Sequence, residues 1–252
     1  MKAFLARVKW RDSTKANAVG MLEVWFRSLN IPWDPPTYEG EAEIPFLPTE
    51  EELDCLISGS GNKMSAYLQL LKGTGARAGE IANLTWTDID PQQKTVRIKA
   101  EKGSYSRILP LSTKALDMVN NLQKHVQKPK QHIFVNANNM RANFFTQRKH
   151  IAEKLGNVRL LQIHFHSFRH WKSTTEYHKT KDVFWVKELL GHKNLLSTQV
   201  YIHIERAKYP KGASDDFFSK VASTKEEITD LLDSGFEYVL QKDGLAYFRK
   251  RK

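Results

Sequence analysis

Only one cysteine, Cys55, occurs in the 252 residues. A single thiol closes no internal disulfide and supplies no cysteine-based zinc site, which points to a reducing compartment. No stretch is long and apolar enough to cross a bilayer, and the N-terminus carries Lys2, Arg7, Lys9 and Arg11 where a signal peptide would carry an apolar run. The sequence therefore predicts a soluble, cytoplasmic protein. Acidic residues are also scarce: 28 Asp+Glu oppose 39 Lys+Arg, leaving a formal charge of +11. Such an excess favours a polyanion such as nucleic acid, without choosing among DNA, RNA and an anionic membrane surface. Internal repeats are missing too. What is present is 40% hydrophobic residues, enough to fill one substantial domain and a smaller one.

Between Ser13 and Leu29, the side chains of Ala18, Met21, Leu22, Trp25, Phe26 and Leu29 recur at helical spacing. From Ile31 to Pro48, the prolines 32, 35, 36 and 48 with Tyr38 and Gly40 read as an extended linker, because proline lacks an amide donor and blocks helix. A boundary falls near residue 45. Thr49 ahead of Glu50, Glu51 and Glu52 is an N-cap with an acidic first turn, so a larger domain begins there. Thr95–Ala100 and Tyr105–Leu111 alternate about Lys102-Gly103-Ser104 as a hairpin. Helical patterns run over Lys114–Val126, Arg141–Leu155, Ser167–His178, Asp182–Leu190 and Asp215–Ala222. Gly235–Lys252 predicts a second hairpin, turning at Lys242-Asp243-Gly244 and ending in a basic cluster that serves equally as a solubilising end or as phosphate contacts. Trp86, Trp171 and Trp185 lie in apolar patterns and are expected in the core. The expected fold is mainly α with a small antiparallel β-sheet, preceded by a short helical segment.

Chemistry concentrates in His166-Ser167-Phe168-Arg169-His170. At helical spacing His166, Arg169 and His170 share one face, so a cation and two imidazoles project together. A second arginine, Arg77, follows the turn Gly73-Thr74-Gly75 at the start of another helix, where free amides and the helix dipole also favour anions. Two arginines can grip both non-bridging oxygens of one phosphodiester, and the planar guanidinium suits that grip better than an ammonium. His164, His166, His170 and His203 are also of a type that binds zinc, but no acidic or cysteine ligand accompanies them and a metal leaves the paired arginines unexplained. His164 reads as structural.

In these residues the chain resembles the tyrosine recombinase (phage integrase) family, archaeal-type integrases especially, over about Thr49 to His203. The family's first motif is matched by Arg77 and Glu80, its hairpin lysine by Lys102, its H-x-x-R-H box by His166, Arg169 and His170, and its later histidine by His192 in LLGH. The nucleophilic tyrosine is matched by Tyr201, nine residues after His192 (201 − 192 = 9). All six catalytic positions, Arg77, Lys102, His166, Arg169, His192 and Tyr201, therefore occur in family order. The resemblance implies the tyrosine recombinase catalytic fold, with residues 1–45 a shortened helical core-binding segment and linker, 46–212 the catalytic domain, and 213–252 a C-terminal helix and basic hairpin tail. It further implies cleavage of DNA by Tyr201 through a covalent 3′-phosphotyrosyl intermediate, with no metal or nucleotide cofactor. Ionising a phenol of pKa about 10 at neutral pH requires roughly 4 kcal/mol, which neighbouring cations and a base must supply. Arg77, Arg169 and His192 would hold the phosphorane-like transition state, His166 would accept the phenolic proton, and Lys102 would protonate the leaving 5′-hydroxyl. Glu80 and His170 are expected to support these residues from behind, and Arg107, Lys193, Lys250 and Arg251 to contact DNA.

The implied partner is double-stranded DNA at attachment sites, with a homo-tetramer on two duplexes, a monomer in solution and no membrane. The segment Asp215–Ala222 resembles the family helix that packs on a neighbouring protomer. Family members carry four or more helices ahead of the catalytic domain where this chain has about 45 residues, so it reads as an N-terminally shortened integrase, such as the C-terminal product of a gene split by integration. Three other functions fit parts of the pattern: a type IB topoisomerase, a non-catalytic DNA-binding relic and a metal-dependent nuclease. The LLGH-to-tyrosine spacing argues against the first, the intact Arg77, Lys102, Arg169 and Tyr201 against the second, and insensitivity to chelator would exclude the third.

Overall fold

The computed structural model describes residues 1–39, 45–101, 103–123, 131–209, 217–242 and 244–251. They divide into two compact units, Met1–Pro45 and Phe46–Lys252. In the first, α1 (Lys2–Arg7) and α2 (Asp12–Ser28) bury little: Leu5 and Val19 are its fully buried apolar side chains, while Met21, Val24 and Trp25 stay exposed.

The second unit opens with α3 (Glu50–Gly59), whose cap is reciprocal: the Glu52 amide donates to Thr49 Oγ1 at 3.2 Å and the Thr49 amide donates to Glu52 Oε2 at 2.9 Å. Next come α4 (Asn62–Thr74) and the short α5 (Ala78–Ala82). Residues Met64 to Leu71 of α4 are buried on every side, the mark of a helix enclosed by the others. Around it lie α3, α6 (Thr113–Asn120) and α8 (Phe165–Thr180), α7 (Ala137–Leu155) packs against α3 and α5, and one core runs through Leu68, Leu71, Ile81, Phe144 and Phe168. A three-stranded antiparallel sheet, β1 (Ile89–Asp90), β2 (Thr95–Ile98) and β3 (Arg107–Pro110), flanks this body with Val96 paired to Leu109. Buried Asp88 anchors β2 by accepting from Arg97 Nη2 at 3.0 Å and Lys99 Nζ at 2.7 Å. Helices α9 (Val183–Leu190) and α10 (Leu196–Lys208) close the unit's chemistry-bearing part, packing through Val186, Leu190, Tyr201 and Ile204.

The mainly helical body with its small antiparallel sheet agrees with the expected class, but two expectations fail. Asp215 and Asp216 lie outside the described residues, and the remainder of the expected helix from Phe217 to Ala222 is strand β4, paired antiparallel with β6 (Leu245–Arg251), Phe217 opposite Arg251 and Ala222 opposite Ala246. A short apolar run is ambiguous between the two periods, and here a partner strand more than 20 residues later settles it. The C-terminal module therefore reads β4, α11 (Lys225–Asp233), β5 (Glu237–Lys242), β6, with α11 packing Leu231 on Ala222, Ala246 and Phe248. The β5–β6 hairpin falls where the sequence predicts it, although Asp243 lies outside the described residues. Second, Trp171 is buried but Trp185 is 44% exposed, because α9 spends Val186, Leu189 and Leu190 on the core and turns Trp185 outward. Among the described residues no helix is long and apolar enough to cross a membrane.

Candidate active site

α8 carries the centre of the site. Its N-cap residue is His164, whose amide donates to Ser167 Oγ at 3.1 Å, and the ring Nδ1 accepts from Arg148 Nη1 at 3.2 Å, so His164 is tied to the scaffold. One turn on, Phe165 and Phe168 point into the core. That orientation forces His166, Arg169 and His170 to the opposite side, toward α5, α9 and α10.

Arg169 is 1% exposed, and its guanidinium donates to the carbonyls of Gly75 at 2.8 Å and Leu190 at 2.9 Å. Those bonds tie α8 to the turn before Arg77 and to the turn before His192. Burial draws its pKa down to about 10, Tyr201 opposing the fall and Arg77 adding to it, so the group stays charged at neutral pH. Arg77 is the N-cap residue of α5, reached from the left-handed turn at Gly75 (φ 63°). Tyr67 steadies that helix by donating its hydroxyl to the Ala78 carbonyl at 2.6 Å. Arg77 Nη1 has no hydrogen-bond acceptor and lies 3.6 Å from Glu80 Oε1, leaving a buried donor unspent. Glu80 is the hub beneath it. Its carboxylate, held ionised by Arg107, the Arg77 amide and Ser104 against the cost of burial, accepts from the Arg77 amide at 2.8 Å and from Ser104 Oγ at 2.7 Å.

His192 follows α9 and the left-handed Gly191 (φ 65°). It is 9% exposed, its Nδ1 lies 2.9 Å from Thr198 Oγ1, and burial with the charges of Arg169, Arg77 and Arg107 lowers its pKa to about 4. The imidazole is thus neutral at pH 7, with one ring nitrogen a donor and the other an acceptor, and Nδ1 shares a hydrogen bond with the Thr198 hydroxyl.

Tyr201 lies on α10, 2% exposed, its ring centroid 5.8 Å from that of His170, which stands edge-on to His166 at 4.6 Å. Burial raises the Tyr201 pKa, opposed by Arg169, by the Ser173 hydroxyl beside the phenol and by Arg77, so the resting residue is a neutral phenol among cations that favour its anion. His170 is driven to about 4 by burial, His166 and Arg169, and its Nδ1 is buried without a partner. His166, open on one side, is lowered by burial, Arg169 and Arg77 and is therefore an unprotonated base at neutral pH. It lines a cleft of about 720 Å³ with Arg77, Gly79, Glu101, Arg141 and His164.

Of the residues expected in the site, Arg77, Glu80, His166, Arg169, His170, His192 and Tyr201 are brought together, while Lys102 lies outside the described residues. The four expected DNA contacts fare unevenly. Lys193 is exposed, its ammonium 5.6 Å from the Tyr105 ring centroid. Arg107 is turned inward, its side chain 8% exposed. Lys250 Nζ donates to the Ser234 carbonyl at 2.7 Å, capping α11, and Arg251 pairs in β6 with Phe217. Sequence reasoning missed Ser173, which is wholly buried and donates to the Arg169 carbonyl at 2.6 Å, and Thr198; the signal for Ser173 was a hydroxyl one turn past Arg169 on the same face. Among the described residues no group of three or more His, Cys, Asp or Glu side chains is disposed to hold a metal ion.

The Phage integrase family model matches residues 49–208. A tyrosine recombinase of Thermosipho africanus is 30% identical over 212 residues, covering 77% of this chain and 72% of that protein. The XerC tyrosine recombinase of Pediococcus pentosaceus is 32% identical over 152 residues, covering 57% of this chain and 50% of that protein, so the chain spans about half the length of this relative in the match. In three dimensions the chain resembles the XerH site-specific recombinase solved in a post-cleavage complex with its difH substrate, with a TM-score of 0.62 at 20% identity over 84% of this chain and 70% of that one. With the family model covering more than half of its residues, the chain belongs to the phage integrase family of tyrosine recombinases.

Proposed function

We propose that the chain is a site-specific DNA recombinase that cuts and rejoins strands at attachment sites, with Tyr201 as nucleophile and residues 46–212 carrying the chemistry. The observation that carries the reading is the placement of a buried phenol beside Arg169, within the influence of Arg77 and next to the His166–His170 pair, all in one chain. An ordinary packing tyrosine does not need two cations and a hydroxyl around its oxygen.

In the proposed reaction Tyr201 Oη attacks the scissile phosphorus as His166 takes the phenolic proton. The P–O5′ bond breaks, and Lys102 gives a proton to the departing 5′-oxygen. Arg77 and Arg169 offset the charge on the non-bridging oxygens and the neutral His192 donates to one of them; losing such a preorganised donor typically costs about 100- to 1,000-fold in rate. The 3′-phosphotyrosyl ester retains the energy of the broken bond, so a 5′-hydroxyl from a second duplex can attack it and release the phenol without nucleotide hydrolysis. Double-stranded DNA is the partner, four protomers on two duplexes the assembly, Lys193 a DNA contact beside the cleft, and the cytoplasm the compartment. Glu80 and His170 hold the catalytic groups in place.

The test is incubation with a nicked suicide duplex carrying an attachment site, with chelator present, beside Tyr201→Phe on a denaturing gel. A slower covalent adduct that the variant lacks is expected. DNA binding without an adduct would refute the assignment of Tyr201, and relaxation of supercoils without recombinant product would move the chain to the topoisomerases.

A further inference from the structure

Arg107 has the sequence signature of a DNA contact, a cation on a hairpin strand of a basic protein, yet its guanidinium is fully engaged inside the fold. Nη2 and Nη1 donate to the two Glu80 oxygens at 2.9 and 3.2 Å, Nε donates to the Leu189 carbonyl at 2.8 Å, and Nη1 also reaches the Tyr105 carbonyl at 3.1 Å. Three successive carbonyls of the turn before His192 are thereby taken by three donors, two from the hairpin arm and one from α8. Leu189 accepts from Arg107, Leu190 from Arg169, and Gly191 from the Tyr105 amide at 3.1 Å. The turn is tight against its partners, since a Cβ added at Gly191 would lie 2.7 Å from Arg107 Nη1 and 2.9 Å from the Tyr105 carbonyl oxygen. On its other side Arg107 holds Glu80, which in turn holds the Arg77 amide and the Ser104 hydroxyl.

We infer that Arg107 is a positioning residue: through Glu80 and the Leu189 carbonyl it locks the turn carrying His192 to the helix start carrying Arg77, setting the spacing between two ligands of the scissile phosphate. The geometry explains why arginine stands here, because a guanidinium reaches a carboxylate bidentately and a carbonyl with its remaining nitrogen, whereas the three donors of an ammonium radiate from a single atom and cannot span the same acceptors. The inference rests on the recombinase reading given above and extends it to a residue that touches no DNA.

The two roles predict opposite behaviour for Arg107→Lys. A phosphate contact, when lost, weakens DNA binding and lowers the salt slope of log K by about 1. A lost positioning residue leaves affinity alone and slows the chemical step, where a misplacement of about 1 Å can cost on the order of 100-fold. We expect unchanged affinity and salt slope for Arg107→Lys on an attachment-site duplex, with single-turnover cleavage at saturating protein down on the order of 100-fold. Combined with His192→Ala, it should slow cleavage by less than the product of the two single losses, since one of the two groups whose spacing it sets is already gone. If Arg107→Lys does not fold, Glu80→Gln/Arg107→Met removes the buried pair together and is measured in the same way. Weaker, less salt-sensitive binding with normal cleavage at saturation, or fully multiplicative losses with His192→Ala, would overturn the inference. Failure of the recombinase reading would show separately, as absence of a Tyr201-dependent adduct with the unaltered protein.

Discussion

Acidification should unfold this protein in part through His192, and the size of the effect follows from its surroundings. The side chain is buried beside Arg169, Arg77 and Arg107, and its pKa falls from 6.5 to about 4. In the folded state it therefore stays neutral down to about pH 4, while in the unfolded chain it takes up a proton below 6.5. The unfolded state binds more protons between those values, so stability rises with pH there: the contribution is complete above 6.5, is lost as pH falls toward about 4, and changes no further below it. A fall from 6.5 to about 4 corresponds to roughly 3 kcal/mol, of which about 2 kcal/mol should disappear between pH 7.5 and pH 5. The assay is urea unfolding followed by circular dichroism at several pH values, on the protein and on His192→Asn, which keeps a partner for Thr198 but does not titrate. Other groups, His170 among them, contribute to both proteins and cancel in the difference. His192→Asn should lose about 2 kcal/mol less than the parent over that range. A difference that is the same at pH 7.5 and pH 5 would refute the reasoning, and with it the picture of His192 as a neutral imidazole.

Arg169→Lys should fail on two counts, because one ammonium cannot replace a guanidinium that spans the Gly75 and Leu190 carbonyls. Stability should fall by about 1–3 kcal/mol in urea unfolding, and adduct formation by at least about 100-fold; near-normal cleavage would show that the bidentate grip is dispensable. Asp88→Asn should lower stability by about 1–3 kcal/mol, since a wholly buried side chain would lose its charge-assisted bonds to Arg97 and Lys99. The same unfolding assay checks it, and a change below about 0.5 kcal/mol would mean that solvent replaces those bonds.

Particular elements show where reading the sequence succeeds and fails. The start of α3 was legible because a cap is local: Thr49 and Glu52 satisfy each other's amides within one turn. The grouping of His166, Arg169 and His170 was legible because helical spacing alone puts them together. Strand β4 was misread because Phe217, Phe218 and Val221 suit a helix face as well as a strand, and the ladder with Leu245–Arg251 that decides between them is not local. Arg107 was misread for a related reason. A basic residue is exposed by default, and only the approach of Glu80, 27 positions away, and of the Leu189 carbonyl, 82 positions away, makes it an interior group.

By itself the sequence determined the helical class, the start of the large domain, the sign of the charge and the order of the residues that suit phosphodiester chemistry, because each depends on composition or on spacings of a few residues. Tertiary structure alone decided which cations stand around Tyr201, that His192 and His170 are neutral, that Ser173 reaches the phenol and that Arg107 faces inward. The physical reason is that charge state and hydrogen-bond choice depend on desolvation and on partners from distant parts of the chain, and neither exists until Arg77, Arg169, His192 and Tyr201 are folded around one point.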